Sequence, residues 1–343
     1  MYRSIAVIAV AFTAMSGCGR EPGAAVDEIF ADYAGPSTPG AAVLVVRDGE
    51  KLLTRTYGVS DIATRTPITA ATNFRLASVT KQFTAMAILM LIEEGSLTLD
   101  TTLGELFPDF HAYAQDITIR ELLRHQSGLP DYEPMVPEGA EPVRDDDVLR
   151  LMLETKEGYF EPGSAYRYSN SGYAVLAMIV ETLSGHSFAE FLDERIFTPL
   201  GMDNTVAFEK GVSSVPNRAY GYTVTDEGIE FTDQSRWSSV LGDGGVYSSL
   251  NDLYRWDQAL YRDDLITADS KAQMLTPSLE DYGFGWRIDR FDGHLRYHHS
   301  GSTSGFRNFI QRFPEQRLTI IVLTNRAEPD VQPLAEEIAA LYL

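Results

Sequence analysis

The chain has 343 residues, and its 44% hydrophobic content, with 17 Phe, 17 Tyr and 3 Trp, supports a sizeable packed core in one large domain or two smaller ones. Its 28 Lys and Arg stand against 49 Asp and Glu, a formal net charge of -21, which excludes a basic nucleic-acid-binding face and reads as solubility. A single cysteine, Cys18, excludes disulfides within the chain and cysteine-ligated metal.

The first 23 residues, MYRSIAVIAVAFTAMSGCGREPG, carry Arg3, then an apolar run over residues 5–15, then small residues. That is the pattern of a secretory signal, too short for a spanning helix. Its MSGC, ending at Cys18, resembles a bacterial lipobox. The resemblance implies a lipidated Cys18, export, and anchoring to a bacterial membrane on the periplasmic side. No later apolar run reaches the ~18 residues of a membrane span. The chain therefore divides into a signal at 1–18, a linker at 19–25 and a domain at 26–343.

A short helical stretch is expected at 26–34. In AAVLVVRDGEKLLTRTYG, Asp48-Gly49 separates two strand-like runs, a strong hairpin signal. FRLASVTKQFTAMAILMLIEEG then predicts a helix from Ser78 to about Glu94, stopped by Gly95. Further helical patterns follow at 118–128, 145–156, 171–185, 187–197 and 249–261. The helix at 145–156 opens on three acids, which suit its N-terminus. Ser187 with Glu190 forms a capping box. In the last quarter the period changes to two. YGFGWRIDRF, GHLRYHHSG, GFRNFIQRF and RLTIIVLTN read as consecutive strands, and VQPLAEEIAALYL closes as a helix. Isolated hairpins cannot bury a face alone. The expected fold class is therefore α+β: one antiparallel sheet built from both chain ends and flanked by helices, plus a mainly helical domain. The α/β part would take about 26–95 and 262–343, the helical part about 96–261.

Three stretches carry groups fit for chemistry. Ser78 and Lys81 stand three apart on a predicted helix and so share a face. A serine hydroxyl becomes a nucleophile when a base takes its proton, and a lysine serves as base once burial or a neighbouring charge disfavours its ammonium form. The plain alternative is that Ser78 caps the helix and Lys81 points to water. The second stretch, YRYSNSGYAVL, holds Tyr168-Ser169-Asn170 before a helix. The third, YHHSGSTSGF, holds His299-Ser300-Gly301 at a strand end.

Ser78-x-x-Lys81, Tyr168-x-Asn170 and His299-x-Gly301 each occur once, in that order, 90 and 131 residues apart. Together they resemble the three motifs of the serine β-lactamase and penicillin-binding-protein superfamily. The nearest likeness is its class C-like branch, which includes D-Ala-D-Ala carboxypeptidases, D-aminopeptidases and esterases. LLRHQSGLPDY, FEPGSAYRYSNSGY and GDGGVYSSLNDLYRW look familial too, and the resemblance runs from about residue 25 to the end. It implies a β-lactamase/transpeptidase-like fold and a serine hydrolase working through an acyl-enzyme, with no cofactor or metal. Ser78 would be the acylated nucleophile, Lys81 its base and Tyr168 the proton relay to the leaving group. Asn170 would orient Lys81 and meet the substrate amide. His299 would lie across the cleft near a substrate carboxylate or Tyr168. Gly301 would let the strand approach the substrate, and the amides of Ser78 and Ser302 would form the oxyanion hole.

Two departures carry consequences. Many β-lactamases of this branch have lysine where His299 stands. A histidine is only partly charged near neutral pH, so weaker carboxylate binding and little β-lactam hydrolysis are expected. The branch's HTSGL stands here as His125-Gln126-Ser127-Gly128-Leu129, a segment read as structural. GHSFA at 185–189 lacks the second glycine of an esterase elbow and follows a helix. His298 and His299 point to opposite faces of a strand and cannot easily share an ion. No Gly-x-Gly-x-x-Gly follows a strand, so no dinucleotide is implied. The substrate, a small molecule or peptide, is left open among D-amino acid peptides, acyl esters and β-lactams. A binding or sensor protein that is acylated without turnover is the alternative. The cleft walls are expected at 131–142 and 231–245.

Overall fold

The computed structural model describes residues 21–343; the predicted signal and Cys18 lie outside them. Asp48 and Gly49, with φ of 51° and 80°, make the tight turn expected between two strands. These are β1 (Ala41–Arg47) and β2 (Glu50–Tyr57). From the other chain end come β3 (Arg287–Phe291), β4 (His294–Thr303), β5 (Phe306–Phe313) and β6 (Leu318–Thr324). They form one antiparallel sheet in the order β3-β4-β5-β6-β1-β2. The last strand of the chain therefore pairs with the first, Val322 opposite Val43, and both chain ends build one sheet.

Strand alternation divides this sheet between two cores. Ala41, Val43, Val45, Phe309, Ile320 and Val322 face the terminal helices α1 (Pro22–Ile29) and α6 (Gln332–Tyr342) through Val26, Ala335 and Ile338. Ala42, Leu44, Ile310, Ile321 and Leu323 face the interior and α2 (Lys81–Glu93). With both faces covered, β1 and β6 read as continuous apolar runs, and each such side chain contributes about 1.5–3 kcal/mol by leaving water. The first eleven residues of α2 are all buried, so it is a core helix. It packs by Phe83 against Trp256 of α5 (Leu250–Ala259), ring centroids 4.5 Å apart. Asp257 of α5 pairs with Arg312 of β5 at 2.6 Å and fixes that helix to the sheet.

In the chain between β2 and β3 come α3 (Asp145–Glu154) and α4 (Asn170–Ser184), which pack on one another and, through α4, on α2. Capping boxes open the short helices Ile119–Leu123 and Phe188–Leu192, at Thr118/Glu121 and Ser187/Glu190. Several expectations shift. Ser78 does not cap α2; it lies in a separate 3-10 turn, Ala77–Thr80. The helix expected over 118–128 ends at Leu123, because His125 and Gly128 take φ of 58° and 72° and reverse the chain. The segment 96–261 is not purely helical. Val206–Ala207 and Val246–Ser248 join Phe74–Arg75 in a three-stranded sheet, and Tyr222–Thr225 pairs with Gly228–Phe231. Strands of two to four residues are too short to display a period.

Candidate active site

Ser78 is presented on the 3-10 turn that runs into α2. Ala77 before it has φ of 50°, a left-handed conformation that an L side chain keeps only under constraint. The constraint has two sources. The Leu76 amide donates to the Val246 carbonyl at 2.8 Å. From the other side β4 presses on the turn at Gly301, where a Cβ would stand 2.0 Å from the Leu76 carbonyl oxygen. Gly301 thus lets the strand approach the backbone beside the serine, a different reason for glycine from the expected approach of substrate.

Lys81 is fully buried. Its Nζ donates to Asn170 Oδ1 at 2.8 Å and to the Asp243 carbonyl at 2.7 Å, and lies 3.2 Å from Ser78 Oγ. Two N–H groups are thereby spent on neutral oxygens, and the third direction faces the serine hydroxyl. Asn170 is available because Ser169 takes the capping role: its Oγ accepts the Gly172 amide at 3.1 Å. Asn170 Nδ2 donates in turn to Glu133 Oε1 at 2.6 Å. The Asp243 carboxylate accepts from the Tyr132 hydroxyl at 3.0 Å, and burial pushes it up to about 6. The loop that carries Asp243 is clamped by Asp145, whose two oxygens accept the Leu241 and Gly242 amides at 2.7 and 2.9 Å. The Thr84 hydroxyl of α2 donates to the Gly242 carbonyl at 2.7 Å.

Lys81 Nζ also sits 4.9 Å from the centre of the Tyr168 ring. The Tyr168 hydroxyl is buried and has no hydrogen-bond partner among the described residues. His299 differs from its expected character. It is 2% exposed, its Nδ1 lies 2.7 Å from the Ser300 carbonyl, and its Nε2 lies 2.9 Å from the Tyr282 hydroxyl. The carbonyl assigns the proton to Nδ1, so Nε2 accepts from Tyr282. Burial pushes this imidazole down to about 3 against the opposing Ser300 bond, helped by the positive charges of Lys81 and Arg287. It is a neutral, internally bonded group, not a partly charged one waiting for a carboxylate. His298, on the opposite face, lies 3.2 Å from Asp289.

A hollow of about 110 Å³ opens over Ser78, walled by Tyr132, Glu133, Asn170, Trp237, Asp243 and the exposed Ser302. His299 does not line it. Larger hollows, about 270 Å³ beside Asp145 and about 530 Å³ between α1 and α6, are lined by neither Ser78 nor Lys81. Tyr132, Glu133, Trp237 and Asp243 fall within the two expected segments, 131–142 and 231–245, whereas Asn170 and Ser302 lie outside them. Sequence reasoning missed Glu133, the Asp243 carbonyl and Asp145 as individuals. Glu133 directly follows LLRHQSGLPDY and Asp243 sits in GDGG, two stretches that look familial but whose partners lie far along the chain.

With this geometry, comparison with known proteins is direct. The Beta-lactamase family profile matches residues 26–343. Over 308 residues the chain is 36% identical to penicillin-binding protein 4* of Bacillus subtilis, covering 83% of this chain and 68% of that protein. It is 32% identical over 306 residues to a D-aminopeptidase of Brucella anthropi, covering 84% of this chain and 56% of that longer protein. The octameric penicillin-binding protein homologue of Pyrococcus abyssi superposes with a TM-score of 0.81 at 26% identity, over 94% of this chain and 76% of that one. The chain belongs to the Beta-lactamase family, with penicillin-binding-protein and D-aminopeptidase homologues.

Proposed function

We propose that the protein is a serine hydrolase that cleaves an amide or ester through an acyl-enzyme on Ser78. The observation that carries this reading is the placement of Lys81 Nζ, held by Asn170 and the Asp243 carbonyl with its third direction on Ser78 Oγ. Ser78 gives its proton to Lys81 as Oγ attacks the substrate carbonyl. The oxyanion is held by the amides of Ser78 and Ser302. Tyr168 hands a proton to the departing nitrogen or oxygen and recovers one from Lys81, which took it from Ser78; the carbonyl-to-leaving-group bond breaks, and the acyl group stays on Oγ. Water then attacks the acyl-enzyme and returns Ser78 to its hydroxyl form.

Charge in the cleft narrows the substrate. Glu133 and Asp243 wall it, and among the described residues no arginine or lysine lines the opening above the buried Lys81. His299 is neutral and buried. The site suits a substrate with a free ammonium beside the scissile carbonyl, the chemistry of an aminopeptidase or amino acid amidase, and disfavours a substrate anchored by its carboxylate. The D-aminopeptidase relatives support this reading. A test compares a D-amino acid p-nitroanilide with its N-acetyl derivative and with nitrocefin. The free amine should be cleaved at least about tenfold faster than the acetylated form, and nitrocefin should be a poor substrate. Equal rates with and without the amine would overturn the amine reading. A burst of one equivalent with no turnover would identify an acylated sensor instead.

We also propose that Cys18 carries lipid and anchors the exported protein to a bacterial membrane, on the strength of the MSGC sequence.

A further inference from the structure

We propose that His125 is a positioning residue for Tyr168. The segment that holds it, His125-Gln126-Ser127-Gly128, runs alongside the chain that delivers Tyr168 to the cleft. The Gly128 carbonyl accepts the Tyr159 amide at 2.8 Å and the Gln126 carbonyl accepts the Gly163 amide at 2.9 Å. At the end of this run one residue grips both sides of Tyr168. The His125 carbonyl accepts the Arg167 amide at 2.9 Å, and the His125 Nδ1 accepts the Ser169 amide at 3.0 Å. The imidazole also lies against the Tyr168 ring, centroids 4.2 Å apart at 36°. On another side it meets Tyr282 at 4.5 Å, the tyrosine that bonds His299. Three degrees of freedom of Tyr168 are thus set by His125: both flanking amides and the ring.

The choice of histidine has a cost that a packing role does not require. With Nδ1 accepting, the ring proton sits on Nε2, and Nε2 is buried with no hydrogen-bond partner among the described residues. A phenylalanine would fill the space without that orphan donor. Histidine adds an acceptor for the Ser169 amide, and burial keeps the imidazole neutral so that the Nδ1 lone pair stays free. The backbone accepts strain for the same placement, with φ of 58° at His125. The tyrosine hydroxyl that this scaffold positions is the unpartnered one at the site.

This inference rests on the reading of Tyr168 as proton donor to the leaving group. A p-nitrophenolate departs without a proton, whereas an aniline nitrogen needs one. Misplacing Tyr168 should therefore damage anilide cleavage more than ester cleavage for the same acyl group. The experiment measures kcat and KM for a D-amino acid p-nitroanilide and the matching p-nitrophenyl ester in wild type, Tyr168→Phe and His125→Phe. His125→Phe should lower kcat for the anilide by on the order of tenfold more than for the ester, with KM little changed, in the same direction as Tyr168→Phe. His125→Gln, whose side-chain carbonyl can accept the Ser169 amide, should fall between wild type and His125→Phe, and carries the same comparison should the phenylalanine variant not fold. Equal losses on both substrates in the His125 variants, with selective loss in Tyr168→Phe, would overturn the positioning role alone. Equal losses in Tyr168→Phe would overturn the proton-donor reading and this inference with it.

Discussion

Each of the three groups around Lys81 Nζ can accept a hydrogen bond, and none carries a formal charge. Those contacts fix where the nitrogen stands and aim it at the Ser78 hydroxyl, the placement that a proton acceptor for this serine requires. The pairing of Ser78 with Lys81 was legible from their i, i+3 spacing, although Ser78 lies in the 3-10 turn before α2. The Asp243 carbonyl was not, because backbone groups leave no mark on residue type. For His299 the identity is readable in sequence, but its burial and its Tyr282 partner are not. The burial of His299 has a pH signature. An unfolded histidine titrates near 6.5, and folded His299 near 3. The unfolded chain therefore binds the proton first as pH falls, so the stability contributed by neutral His299 is full above about 6.5 and is lost toward about 3. The raised carboxyls of Asp145, about 8, and Asp243, about 6, act with the opposite sign, so the whole-protein curve mixes them. The difference between wild type and His299→Gln isolates the histidine. Urea unfolding should show the wild type's lead shrinking by roughly 2 kcal/mol between pH 6.5 and 5. A constant lead would mean that His299 is not held neutral by burial.

At the scale of elements, the site is the meeting of a turn, a strand and two helix starts. The last four strands were legible because period-two alternation and Asp-Gly or Pro-Glu turns bound them. The turn before α2 was not. Apolar residues recur from Phe74 to Leu91 whether the chain is helical or turning, and at the break, Ala77, β4 presses on the backbone. That contact yields a sharp prediction. Gly301→Ala puts a methyl against the Leu76 carbonyl, and neither backbone can yield without shifting Ser78. The variant should lose about 1–3 kcal/mol in thermal or denaturant unfolding. Its kcat/KM should fall by on the order of tenfold or more, because small displacements of a nucleophile are costly. Full activity in a destabilised Gly301→Ala would separate the strand contact from the placement of Ser78.

For the whole molecule, closure of the sheet by both chain ends follows from a hairpin and a meander that each need a second face. The structure locks it with the Asn325 side chain, which accepts the Gly40 amide at 2.7 Å. Which loops wall the cleft was legible as two broad segments; that Glu133 and Asp243 converge there was not, since they lie 110 residues apart in the chain. The Cys18 proposal concerns the molecule's place in the cell and is tested there. In a bacterial host the wild type should sediment with membranes, and Cys18→Ser should be released or remain unprocessed. Equal partition of the two forms would remove the anchor.

The central claim is that Ser78 becomes covalently acylated during turnover. Intact-mass spectrometry after brief exposure to a D-amino acid p-nitrophenyl ester or a fluorophosphonate, followed by peptide mapping, reads it directly. The account predicts one adduct per chain, on the peptide containing Ser78, and neither adduct nor turnover in a folded Ser78→Ala variant. An adduct on another serine, or turnover that survives Ser78→Ala, would contradict it.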